Sequence, residues 1–173
     1  DKKYNTVLPS AIYRRTMEVC KNYPNKKYII HFLQPHHPYL DLKFKDDLML
    51  QIKKSVEGEH YKVIKRNVGS FSAIYSSDIY LNYPIYRIVK SYMNNLRIVM
   101  PYVEALLNIL PGTTIVTSDH GESFGERIHP LLPIKFYGHG FIRLKSLTHV
   151  PWLIVEEELK NPYREVNLLK KEI

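Results

Sequence analysis

One cysteine, Cys20, in 173 residues leaves no partner for an internal disulfide. The chain is therefore not a disulfide-stapled scaffold, and it suits a reducing compartment, with the cytoplasm as the expected location. Long apolar runs are also missing. Stretches such as Ile109-Leu110 and 152–155 fall far short of the roughly 20 residues a membrane span needs, so no transmembrane helix is expected. There is no internal repeat or low-complexity tract, and the sequence from Asp1 shows no signal-peptide pattern. With no initiator Met, the chain is expected to continue upstream of Asp1. Concentrated basic charge is absent too. The net charge of +8 is spread over doublets: Lys2-Lys3, Arg14-Arg15, Lys26-Lys27, Lys53-Lys54, Lys65-Arg66 and Lys170-Lys171. An anionic partner would suit this balance, but no basic tract with interleaved aromatics marks a nucleic-acid-binding module.

What is present is the composition of a globular protein, 45% hydrophobic, 12% aromatic and 24% charged, which excludes a disordered or collagen-like chain. The length fits one domain over residues 1–173. Pro9 at a first-turn position, followed by Ile12, Met17, Val19 and Cys20 among charged residues, predicts an amphipathic helix over 8–23. The β-forming run 28–33 reads as a strand buried on both faces of a parallel sheet, ended by Pro35. Residues 46–56 predict a helix, and 58–77 follow no clear pattern. From Ile85 to Leu110 the apolar residues Ile88, Val89, Tyr92, Leu96, Val99, Val103 and Leu106 recur at helical spacing. One long helix follows, with a kink expected at Pro101 and a stop at Pro111-Gly112. Strands are predicted over 113–117 and 150–155. This alternation points to an α/β fold with a mostly parallel sheet.

Seven of the eight histidines fall in two windows, His31, His36 and His37 in one and His120, His129, His139 and His149 in the other. Each window begins at the carboxyl end of a predicted strand, where ligands of open α/β sheets bind, so the two windows are expected to form one site. Ser118-Asp119-His120-Gly121-Glu122 can present a carboxylate oxygen and an imidazole nitrogen to one cation. It is equally a turn capped by Asp119 with His120 as a plain polar loop residue. In Pro35-His36-His37-Pro38-Tyr39, two prolines stiffen the backbone that carries the imidazoles. Tyr137-Gly138-His139-Gly140 allows close approach of backbone to a ligand or a second strand.

Taken in order, these elements, together with Phe124-Gly125-Glu126-Arg127 and His149-Val150-Pro151-Trp152-Leu153, resemble the sulfatase-like branch of the alkaline phosphatase superfamily over about residues 26–155. The resemblance implies an α/β/α sandwich and the hydrolysis or transfer of a sulfate, phosphate or related ester at a divalent cation. It implies that Asp119 and His120 bind the metal, with Mn or Zn suiting the mixed pair better than Ca or Mg. His36 would lie beside the anionic group with His37 next to it. His139, standing where the family often has Lys, would be a further substrate contact, and His36 and His139 would stabilise the transferred group. The family's first-strand acidic ligand and its nucleophile motif are absent, since Cys20 is followed by Lys-Asn-Tyr-Pro. The resemblance therefore implies the carboxyl-terminal part of a sulfatase-like domain lacking its first strand region. Such a chain is expected to be inactive alone and to pair with an upstream segment or a second copy. The competing expectation is a non-catalytic relative that binds an anionic ligand or a protein.

Overall fold

The computed structural model describes residues 1, 3–42, 64–68, 71–75, 79–140 and 142–160. Their elements, in chain order, are α1 (Pro9–Asn22), β1 (Ile64–Val68), β2 (Phe71–Tyr75), α2 (Ile79–Asn82), α3 (Ile85–Ile109), β3 (Thr114–Thr117), β4 (Ser123–Arg127), β5 (Ile134–Gly138), α4 (Lys145–Thr148), β6 (Trp152–Val155) and a 3-10 turn (Glu157–Leu159). The helix expected over 46–56 lies outside the described residues. No helix among the described residues is long and apolar enough to cross a membrane.

The expectation of a mostly parallel sheet in an α/β/α sandwich is corrected. A four-stranded sheet runs in the order β1-β2-β5-β4, and β3 pairs with β6 in a separate two-stranded sheet. In the larger sheet β1 and β2 are antiparallel, β4 and β5 are antiparallel, and only β2 and β5 run parallel. Connection length explains this. Two residues separate β1 from β2 and six separate β4 from β5, whereas a parallel neighbour needs a crossover of a dozen residues or more. The run 28–33, expected as a central strand, forms none. It keeps period-two exposure, with Ile29, His31 and Leu33 outward and Ile30 and Phe32 partly covered. A backbone without a ladder partner is not a strand, whatever its side-chain pattern.

The chain divides into two compact units. The first comprises Asp1–Leu42, Lys90–Thr114 and Ile154–Ile173. Its core gathers Tyr39, Leu40 and Leu42 with Val99, Ala105 and Leu106 of α3. The Tyr13 and Tyr102 rings meet with centroids 6.0 Å apart. As expected, α1 opens with Pro9, whose missing N–H costs nothing at a helix start. The helix α3 matches the periodic pattern and runs through Pro101. Beyond its end, Lys160 Nζ donates to the Leu110 and Gly112 carbonyls at 2.6 and 2.5 Å and to Thr114 Oγ1 at 2.8 Å, tying down the segment that follows the helix.

The second unit comprises Lys43–Val89 and Ile115–Leu153. Ile79, Ile88, Phe136 and Leu147 are its most buried apolar side chains. The β4–β5 hairpin carries a bulge between Phe124 and Glu126. Gly125 occupies it at φ +110, and a Cβ there would stand 2.8 Å from the Tyr137 ring, so the bulge requires glycine. The buried Ser123 hydroxyl donates to the Phe136 carbonyl at 2.9 Å across this hairpin.

Candidate functional site

Ser118 to Glu122 form the short link that carries the chain from β3 directly into β4. Gly121 fixes its course. The Gly121 N–H donates to the Leu147 carbonyl at 3.0 Å, and a Cβ on Gly121 would stand 1.8 Å from the Ser146 carbonyl oxygen. No side chain fits there, so the link lies flat against α4 and the flanking residues project from it.

On one side of Gly121, His120 Nδ1 lies 2.8 Å from the Gly121 carbonyl oxygen. A carbonyl only accepts, so Nδ1 carries the proton and the neutral ring has its lone pair on Nε2. That Nε2 lies 3.8 Å from Asp119 Oδ2. Two ligand atoms each about 2.0–2.2 Å from a common cation are at most about 4.4 Å apart, so one cation can reach both. Asp119 Oδ1 also accepts from the His120 N–H at 3.0 Å, which turns the carboxylate toward the imidazole. The turn-capping and metal-binding readings of Asp119 are thus compatible, since each uses a different oxygen.

On the other side, hairpin register brings Glu122 to His139. Ser123 pairs with Gly138, which sets the residue before one opposite the residue after the other. His139 Nδ1 donates to Glu122 Oε2 at 3.0 Å, and Tyr80 of α2 donates to Glu122 Oε1 at 2.6 Å. Glu122 is 9% exposed at its side chain and His139 24%. The hydrogen bond to Glu122 raises the His139 pKa above its ordinary value, burial opposes the rise, and the Glu122 and Asp119 charges add to it. A carboxylate that orients an imidazole in this way is a recurrent support for metal-ligating histidines. The His139 ring stacks on His120, with centroids 4.2 Å apart and planes at 29°.

The second unit therefore assembles Asp119, His120 and His139 around the β3–β4 link, and adds Glu122 and Tyr80. Sequence reasoning gave Glu122 no role and passed over Tyr80. Neither carried a sequence signal: Glu122 meets His139 only through the register of the β4–β5 hairpin, and Tyr80 comes from a distant helix. His129 and His149, grouped with this window, are exposed and make local contacts, to the Leu131 N–H at 3.2 Å and the Thr148 hydroxyl at 3.4 Å.

His36 and His37 belong to the first unit, where they form a pair of their own. Their rings stand 4.1 Å apart, and His36 Nε2 and His37 Nδ1 are separated by 3.1 Å. Both are partly buried, while His31 of the same window is exposed. No family model, no curated protein and no solved structure matches this chain.

Proposed function

We propose that the chain binds a divalent cation, Mn or Zn, between Asp119 and His120, and that it serves a sulfatase-like hydrolase or transferase of sulfate, phosphate or related esters. The observation that carries this reading is the 3.8 Å approach of His120 Nε2 to Asp119 Oδ2, with the His120 proton held on the other ring nitrogen by the Gly121 carbonyl. A carboxylate and an imidazole together suit Mn or Zn, whereas Ca and Mg prefer an all-oxygen shell. The cation would polarise an ester oxygen. His139, held by Glu122, would stabilise charge on the transferred group. The reading rests on these side chains and not on the parallel sandwich corrected above. A cytoplasmic location goes with it, given one cysteine and no disulfide.

A second reading, a non-catalytic binder of an anion, is favoured by a specific observation. Of the two serines near the Asp119–His120 pair, Ser118 and Ser123, Ser123 is 0% exposed and its hydroxyl is committed to the Phe136 carbonyl, so it cannot serve as a nucleophile. Both readings require an oxyanion to bind next to the cation. Phosphate titrated calorimetrically into the chain should bind at least about tenfold more tightly with saturating Mn than without metal. Phosphate binding that ignores the cation would overturn both readings. Turnover of aryl sulfate or aryl phosphate in the same mixtures would decide for the enzyme.

A further inference from the structure

We propose that Asn95 is the positioning residue of the 35–40 loop, and that through it His36 and His37 are held as a coupled imidazole pair, both protonated at Nδ1 when neutral. Asn95 lies on α3 in helical register with Ile88, Ser91 and Val99, and it is 0% exposed. A fully buried amide must find partners for its donors and its acceptor. Here all of them are in one loop. The Leu40 N–H donates to Asn95 Oδ1 at 3.0 Å, which fixes which end of the amide is oxygen. Asn95 Nδ2 then faces the carbonyls of His36, Pro38 and Pro35 at 3.1, 3.2 and 3.4 Å.

That leaves the His37 carbonyl in the same stretch, and His36 itself takes it. His36 Nδ1 lies 2.5 Å from the His37 carbonyl oxygen, so His36 carries its proton on Nδ1. The neutral His36 ring then has its lone pair on Nε2, and the 3.1 Å contact between His36 Nε2 and His37 Nδ1 requires His37 to donate from Nδ1. Tautomers are therefore set in sequence: loop carbonyl to His36, His36 to His37. Asn95 touches neither ring. It acts by holding the backbone that brings the His37 carbonyl under His36 Nδ1.

The test is long-range nitrogen–proton correlation of the imidazoles in the full chain at about pH 8, where ordinary histidines are neutral. In the wild type, His36 and His37 should both show the Nδ1–H pattern, against the exposed His31 as reference. In Asn95→Ser and Asn95→Asp, both should shift to the Nε2–H form that free imidazoles favour. His139, in the other unit and held by Glu122, should keep its pattern and so report that the variant is folded. A folded variant with His36 and His37 unchanged would overturn the proposal, as would Nε2–H rings in the wild type. If neither variant folds, the wild type decides. There the Asn95 side-chain amide protons should exchange slowly with solvent, and fast exchange would overturn the proposal.

Discussion

Gly121 and His139 carry the most exposed consequences of this geometry at the scale of single residues. A methyl group on Gly121 would be driven into the Ser146 carbonyl at 1.8 Å, and backbone on both sides must move to admit it. Overpacking of this kind costs about 3 kcal/mol or more. Gly121→Ala should lower the denaturation midpoint accordingly and loosen the Asp119–His120 pair, whereas a midpoint unchanged from wild type would mean that the link does not lie against α4. For His139, the hydrogen bond to Glu122 raises the folded-state pKa above 6.5. A raised pKa means that the folded state binds the proton more tightly than the unfolded state does. The stabilisation is complete below the unfolded value and is lost as pH rises through the folded one. The metal-free chain should therefore melt at a lower temperature as pH increases from about 6.5, and His139→Asn should flatten that dependence. Melting temperatures across that range provide the check.

Residue chemistry was only partly legible in the sequence. Asp119 and His120 stood out because adjacency alone places a carboxylate beside an imidazole. The partners of His139 did not stand out. Glu122 reaches it through a strand register that a linear reading cannot set, and Tyr80 arrives from a helix 42 residues away. Asn95 was hidden for another reason. A polar residue within a helical stripe reads as solvated, and only the folded chain shows that its position, in register with Ile88 and Val99, is buried.

At the scale of elements, α1, α3, β3 and β6 were readable because each carries its own signal: a proline at a helix start, a sustained 3.6-residue period, a β-branched run closed by a turn. The hairpins were not. β1 and β2 sit in a stretch without pattern, and β4 and β5 are five residues each, interrupted by glycines. Such sequences become strands only through the partner they meet, which is why β propensity is weaker evidence than helical periodicity. The run 28–33 is the converse, with strand composition and no partner among the described residues. Capping of α3 gives a test at this scale. Lys160 donates three hydrogen bonds to the segment that follows the helix, and burial holds its pKa below the ordinary lysine value. Lys160→Met keeps the aliphatic stem and removes the donors, so it should cost about 1–2 kcal/mol. Hydrogen exchange should show the loss in the last turn of α3 first. An unaltered exchange pattern there would mean that the cap contributes nothing.

For the whole molecule, sheet order was beyond the sequence. Pairing of β2 with β5 joins segments about sixty residues apart, and nothing local specifies which distant edge a strand will meet. The composition nonetheless set correct outer bounds in the absence of a disulfide and of a membrane-spanning helix among the described residues. The account's central claim is that Asp119 and His120 share one divalent cation. Calorimetric titration of Mn and of Zn into the wild-type chain, Asp119→Ala and His120→Ala, with circular dichroism to show that each is folded, tests it most directly. We expect one cation per chain in the wild type and a loss of at least about tenfold in affinity in each variant, since each removes one ligand. Equal affinity in a folded Asp119→Ala chain would contradict the claim.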